Sequence, residues 1–319
     1  MTAHKNRGNS HAIHWQNTAV FFCLILMVAS VAISRGALSI SIIIFTCVAI
    51  VNPFFTNGIK RFFRTPFLWI FSLLFFIPFL SGLWSDDLQK WAGVVRLKLP
   101  LLIFPLAFAG RWMLSQKQWL IIAVIFLLFV VGGCVFGLVL YVENIEQVHA
   151  GYLQAKTINT PLENDHVRFS WLVTVAIILC VFFIHLYQQR RTKLLLLFLA
   201  AFFTIYLHIL SARTGILSLY IFLLFYASWG LFGMKNRKRS LTILLLIMTL
   251  PVMAYFVLPT FKARVRFMLY DLSFVQKAEY VPGTSDGARV MSIKAGWQVL
   301  QQNPLGVGAG DIMHEADSW

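Results

Sequence analysis

The sequence predicts an all-α membrane protein: a polytopic bundle of about nine transmembrane helices, with a partly helical outer loop after the ninth. Three observations predict it. Of 319 residues, 59% are hydrophobic and only 12% are charged, whereas soluble domains carry about 25% charged residues. Apolar runs recur along the chain at lengths near the ~20 residues that a helix needs to cross a bilayer. These runs are unbroken, which excludes a transmembrane barrel, whose strands alternate apolar and polar residues over about ten positions.

The first run, Trp15 to Ser34, has small residues near its end at Val28-Ala29-Ser30, as a cleavable signal would. A second run starts at Ala37 with only Arg35 and Gly36 between, so the pair reads as a retained anchor and a tight helical hairpin that ends at Phe55. Phe67 to Leu83 and the short Val94 to Phe108 follow, then Trp119 to Tyr141. Phe169 to Tyr187, Leu194 to Leu210, Ile216 to Phe232 and Leu241 to Leu258 complete the series. Residues 1–258 thus read as one continuous membrane domain, and 259–319 as a polar outer loop region. Within that tail, Val290, Ile293, Trp297 and Leu300 stand at helical spacing in a partly amphipathic helix from Asp286 to Leu300, which Pro304 and the glycines end. Cys23, Cys47, Cys134 and Cys180 all fall inside apolar runs and read as small buried hydrophobes, so no disulfide framework is expected.

Orientation follows from lysine and arginine, which collect in cytoplasmic loops. Lys5 and Arg7 precede the first span, Lys60, Arg61 and Arg64 follow the second, and Arg111 and Lys117 follow the fourth. Arg190, Arg191 and Lys193 follow the sixth, and Lys235, Arg237, Lys238 and Arg239 the eighth. Every even gap is basic, which puts the amino terminus in the cytoplasm and the tail outside. The net charge of +15 is accounted for by this bias and by attraction to anionic head groups of membrane lipids. Basic clusters confined to short loops do not suit nucleic acid binding.

The informative cations are those on the other face: Arg35, Lys90, Arg96, Lys98, Arg168 and Arg213. A cation at a membrane edge is a functional candidate, and its natural ligand is an anion. Lys90, Lys98 and Arg35 also suit plain head-group contact by snorkelling, and Arg168, next to His166, equally suits an interfacial helix start. Arg213 stands in Ser211-Ala212-Arg213-Thr214-Gly215, whose small residues permit close approach of a ligand. A guanidinium fork pairs well with phosphate oxygens. Asp86 and Asp87 raise the question of a divalent metal, but Ser85 or Asp86 suits a helix N-cap before Leu88, and no second carboxylate cluster completes a hard-cation site. No metal or cofactor is expected. Gly306, Gly308 and Gly310 resemble a phosphate loop only superficially, since no strand precedes them; a tight turn and close packing suit them better.

Four places together resemble the O-antigen ligase and polymerase superfamily, bacterial inner-membrane enzymes that move glycans from undecaprenyl pyrophosphate carriers. They are Trp84-Ser85-Asp86, His166-Val167-Arg168-Phe169-Ser170, Ser211-Ala212-Arg213-Thr214-Gly215, and Arg289 with Asn303-Pro304-Leu305-Gly306-Val307-Gly308. The resemblance implies a carrier-linked glycan donor, a lipid or glycan acceptor, and no cofactor. It implies that Arg213, Arg289 and Arg168 bind the pyrophosphate, with His166, Arg96 and Lys98 as secondary residues and a histidine as general base. In that family the base follows the glycine element in a His-Asn context, before further spans. Here His314 is the histidine after it, in Met313-His314-Glu315-Ala316. The chain therefore reads as carboxy-terminally truncated, as a divergent form in which His314 is the base, or as inactive. The competing class is a secondary transporter for an anionic solute, which would place charged residues at span midpoints; the centres here are nearly uncharged, and His185 and His208 lie close to span ends.

Overall fold

The computed structural model describes residues 2–51, 55–110, 112, 114–152, 156–161, 165–232, 237–276 and 285–317. Every regular element among them is helical: α1 (Thr2–Ile33), α2 (Arg35–Ile50), α3 (Phe55–Arg64), α4 (Pro66–Leu80), α5 (Leu88–Lys98), α6 (Pro100–Phe108), α7 (Gln116–Glu143), α8 (Ile145–Tyr152), α9 (His166–Leu186), α10 (Arg190–Leu210), α11 (Arg213–Phe232), α12 (Arg237–Val257), α13 (Pro259–Gln276), α14 (Ser285–Gln302) and α15 (Ile312–Asp317). The chain divides into two compact units, one of Met1–Met27, Gly36–Trp119 and Gly287–Trp319, the other of Val28–Arg35 and Leu120–Asp286. The expected tail is shared between them at residue 286.

Among the described residues, seven helical stretches are long and apolar enough to cross a membrane: Pro66–Leu83, Leu88–Phe108, Gln116–Glu143, His166–Leu186, Arg190–Leu210, Arg213–Phe232 and Ser240–Val257. The first two expected spans are helical, but their apolar parts, Trp15–Val31 and Gly36–Ile50, have 10–17 residues. At 1.5 Å per residue that is roughly 25 Å or less, short of a ~30 Å hydrocarbon core. The lipid-facing character shows in what is left exposed. In Ser240–Val257 only 11% of the apolar window is buried, and Leu241, Leu245, Met248, Val252 and Phe256 are all exposed. Such a continuous apolar face suits lipid as its solvent, with the backbone satisfied within the helix.

Three elements depart from the sequence expectation. The fourth span is longer than Val94 to Phe108, because α5 runs into α6 through Leu99. Pro100 and Pro66 sit in the first turn of their helices, where a missing N–H costs nothing. Arg96 and Lys98 consequently lie in the last turn of α5 rather than at a helix start. The second span stops at Ile50, and residues 55–64 form the separate amphipathic α3, which buries Phe62 and exposes Lys60, Arg61 and Arg64. In the tail, Pro259–Gln276 is helical as well. The expected apolar face of α14 is not packed: Ile293, Trp297 and Leu300 are exposed and Val299 is the buried residue.

In the first unit α4 packs on α5 and α6, and Phe45 of α2 is fully buried against Phe104, Phe108 and Trp112. In the second, α9 packs along α10 and α11. Val173, Ala176 and Cys180 are wholly buried with Phe203, Tyr206, Leu207 and Leu210. Small residues set the approach of α9 and α11. Thr174 Oγ1 lies 3.0 Å from the Gly215 carbonyl, and a Cβ on Gly215 would stand 2.5 Å from Ser170 Cβ and 2.9 Å from Leu207 Cδ1. In lipid, where apolar surface alone does not choose a partner, such close packing selects the helix pair.

Gly215→Val is therefore expected to lower the thermal midpoint of the detergent-solubilised protein, with an overpacking cost of about 1–3 kcal/mol or more. Gly132→Ala, at a helix position where a Cβ meets nothing within 4 Å, is expected to leave the midpoint unchanged or raise it. Equal melting of the two variants would show that the α9–α11 approach is not formed.

Candidate functional site

In the second unit, two helix starts and one helix end come together. Asp165 caps α9 by accepting from the Arg168 amide at 3.1 Å, and its carboxylate pairs with Arg168 Nε, also at 3.1 Å. His166 is the first residue of α9 and Arg213 the first of α11. The hydroxyls of Ser170 and Thr214 lie 3.5 Å apart, which brings the opening turns of both helices side by side. Helix amino termini carry partial positive charge and unpaired N–H groups, so Arg168 and Arg213 stand where the backbone already favours an anion.

The end of α10 lies between them in sequence and is held from two sides. Ser211 adopts a left-handed conformation, φ 51°, which costs a non-glycine residue about 1–2 kcal/mol. Its hydroxyl offsets this by donating to the His208 carbonyl at 2.7 Å. The Tyr152 hydroxyl of α8 donates to the Leu210 carbonyl at 2.8 Å and lies 3.2 Å from that of Ile209. Burial pushes the Tyr152 hydroxyl above its ordinary range, so it stays a donor. His208, 1% exposed, has Nδ1 2.8 Å from the Thr204 carbonyl and Nε2 2.8 Å from the Tyr220 hydroxyl. A carbonyl only accepts, so Nδ1 donates there, and Nε2 of the neutral ring accepts from Tyr220. Tyr152, His208 and Tyr220 carried no signal in the sequence beyond their residue types.

Beside this cluster runs an apolar groove of about 750 Å³, lined by Val28, Ile125, Phe129, Gly133, Pro161 and Phe169 among others. Phe169 follows Arg168 directly, so one wall of the groove begins at the basic helix start.

The first unit holds Arg96, Lys98, Arg289 and His314, all exposed. Arg289 lies in the second turn of α14 and His314 on α15. Between these helices the glycine element makes a tight turn, with φ of 82° at Gly306 and 91° at Gly308, values that only glycine adopts readily. It packs on the turn before α5. A Cβ on Gly308 would stand 2.8 Å from Ser85 Cα, and one on Gly310 would meet the Asp87 carbonyl. These glycines are a turn and a packing surface. The cap of α5 is Asp87, which accepts from the Lys90 amide at 2.9 Å, and not Ser85 or Asp86. Those two face Asp311 instead: its Oδ2 accepts from Ser85 Oγ and from the Asp86 amide, each at 2.8 Å, and its Oδ1 from the Asp87 amide at 3.0 Å. An open cleft of about 680 Å³ lies beside this contact, lined by Asp86, Asp87, Leu88, Gln89, Lys90, Asp311, His314 and Glu315. Among the described residues, no three His, Cys, Asp or Glu side chains gather as a metal site. The side chains of Arg35, Arg111 and Asp286 lie outside the described residues.

The Ser85 hydroxyl and then the Asp87 and Asp86 amides hold the Asp311 carboxyl below its usual range, and the Lys90 amide and ammonium do the same for Asp87. A native carboxyl pKa below its unfolded value gives stability that is present above the unfolded value, about 3.9, and is lost as pH falls through the native one. Hydrogen exchange at the Asp86 and Asp87 amides is thus expected to stay slow, relative to its intrinsic rate, from neutral pH into the carboxylate range, and to quicken only below roughly pH 4. Loss of protection between pH 7 and 5 would contradict this.

No family model matches the chain, and neither the curated proteins nor the solved structures contain a match to it.

Proposed function

We propose that the protein is a glycosyltransferase of the O-antigen ligase type, which moves a glycan from an undecaprenyl-pyrophosphate carrier to an acceptor at the outer face of a bacterial inner membrane. In this reading the chain crosses nine times, its amino terminus is cytoplasmic, and α8, the start of α9, the Ser211–Gly215 turn and residues 259–319 are periplasmic. The observation that supports it best is the pairing of two arginine-bearing helix starts, Arg168 on α9 and Arg213 on α11, through Ser170 and Thr214. Two guanidinium groups and two helix amino termini suit the charge of a diphosphate. The apolar groove along Phe169 suits the polyprenyl chain attached to it.

The acceptor hydroxyl attacks the anomeric carbon, and the bond from that carbon to the diphosphate oxygen breaks. The electron pair leaves with undecaprenyl pyrophosphate, and arginines stabilise the charge that grows there. His314 is the proposed base for the acceptor proton, and Arg289 the tail arginine assigned to the diphosphate by the family resemblance. His166, Arg96 and Lys98 are secondary. A polymerase would use the same donor chemistry with a growing glycan as acceptor. A transporter for an anionic solute would call for midspan charges; Arg96 and Lys98 lie near the middle of Leu88–Phe108, and the centres of the other six apolar stretches are uncharged.

The test is transfer of labelled carrier-linked glycan by the protein in vesicles. Arg213→Ala is expected to reduce transfer about 100-fold or more, the typical effect of removing one positioned charge donor, and Arg289→Ala and His314→Ala to reduce it as well. Transfer at the wild-type rate by the Arg213→Ala, Arg289→Ala double variant would sink the proposal. Products lengthened repeat by repeat would mark a polymerase, and anion uptake without transfer a transporter.

A further inference from the structure

Five hydrogen bonds tie the segment after α14 to the turn before α5. Three end on the Asp311 carboxylate, from Ser85 Oγ, the Asp86 amide and the Asp87 amide, at 2.8, 2.8 and 3.0 Å. Two run the other way: the Gly310 amide donates to Ser85 Oγ at 3.1 Å, and the Ala309 amide to Ser81 Oγ at 3.0 Å. The glycines permit this approach, since a side chain at 308 or 310 would collide with Ser85 or Asp87. The carboxylate neutralises the open amides of a turn whose own side chains, Asp86 and Asp87, are acidic. One hydroxyl and two amide donors hold the carboxylate there against the like charge of Asp87. The Asp311 carbonyl also accepts from the Glu315 amide at 3.0 Å, so the same residue starts α15. His314 lies one helical turn after it.

We infer that Asp311 is a positioning residue for glycan transfer: by clasping the Ser85–Asp87 turn it fixes where α15 begins, and so where His314 stands. This rests on the transferase reading, with His314 as the base. Asp311 touches no reacting atom in it; its carboxylate is occupied by Ser85 and the two amides. The glycine element thereby acquires a purpose besides packing, since it delivers Asp311 to the turn at a distance that a chain with side chains there would not reach.

Steady-state transfer, measured over a range of donor and acceptor concentrations, tests this with three variants. Asp311→Ala removes all three carboxylate contacts and is expected to lower kcat about 100-fold, the usual cost of misplacing a reacting group by an ångström, while the donor KM changes little. Asp311→Asn keeps the shape but has one acceptor oxygen, enough for the Asp86 amide or the Asp87 amide and not for both, since its NH₂ then faces the other N–H; it is expected to keep part of the clasp and a kcat between those of wild type and Asp311→Ala, which a proton-transferring or charge-bearing role would not allow. Ser85→Ala leaves both amide bonds to the carboxylate but removes the contacts of Ser85 Oγ with Asp311 and the Gly310 amide; it is expected to lower kcat less than Asp311→Ala does, which keeps the test open if Asp311→Ala does not fold. Exchange protection of the Asp86 and Asp87 amides should be lost in Asp311→Ala and retained at both amides in Ser85→Ala. Wild-type kcat in Asp311→Ala or Ser85→Ala, or an Asp311→Asn variant as inactive as Asp311→Ala with one amide still protected, overturns the positioning role. Should the wild-type protein itself transfer nothing, the transferase reading fails and this role with it, while the amide protection still reports whether the clasp forms.

Discussion

The peptide groups left unpaired at helix ends are the constraint on which this structure depends. An apolar helix in lipid satisfies its own backbone except in the first and last turns. A chain of long apolar helices therefore concentrates its polar requirements at a few turns. In this protein, side chains both near and distant in sequence meet them. Asp165 and Asp87 cap the helices they precede. Tyr152 covers the last carbonyls of α10 from a helix 57 to 58 residues earlier, and Asp311 takes the amides before α5 from 224 and 225 residues away. Apolar packing brings helices together, but lipid competes for the same surface. Directional polar bonds at the ends then decide which turns stay adjacent.

That division explains where charge is tolerated. Six of the seven apolar stretches have no charged side chain in their interiors; in Leu88–Phe108 Arg96 and Lys98 stand near the middle and are exposed, and Arg168 and Arg213 sit in opening turns. Placing Arg168 and Arg213 there is electrostatically unfavourable for the helices themselves, because the amino-terminal dipole end repels a cation. Asp165 relieves this for Arg168 through its 3.1 Å ion pair. An anionic ligand would relieve it for both, and this argument supports the anion-binding reading more strongly than the presence of arginine alone.

The apolar helices were legible in the sequence because length and hydropathy report them directly. The expected fourth span was cut short at Val94, since Lys90, Arg96 and Lys98 read as a boundary, whereas helical hydrogen bonding runs on from Leu88 and lets their long side chains reach outward. The amphipathic α3 was read as a basic loop, because ten residues with Gly58 in their midst give a weak helical signal. At the candidate site, small residues announce the turn and close packing of the glycine element, whereas those of Ser211–Gly215 suggest close approach of a ligand and in the structure seat Gly215 against Ser170 and Leu207. The partner of each is not announced. Nothing in a lone sequence tells that Asp311 answers Ser85, or that Tyr152 answers Leu210, because the geometry that joins them is tertiary. The N-cap shows the same limit on a smaller scale: Ser85, Asp86 and Asp87 are all good caps by type, and Asp87 takes the role while the Ser85 hydroxyl turns to Asp311.

The glycine element shows how backbone freedom becomes a chemical statement. Left-handed φ at Gly306 and Gly308 turns the chain, and the missing Cβ atoms at Gly308 and Gly310 let the backbone lie against Ser85 and Asp87. Those features alone are equally compatible with a phosphate cradle. What decides between the two is where the amides go. The Ala309 and Gly310 N–H groups donate to Ser81 and Ser85, and the Asp311 carboxylate already occupies the anion position in front of the Asp86 and Asp87 amides. A diphosphate would have to displace a covalently tethered carboxylate whose local concentration is fixed by the fold. An external anion is better accommodated by the opening turns of α9 and α11, whereas the glycine element holds the chain that follows it.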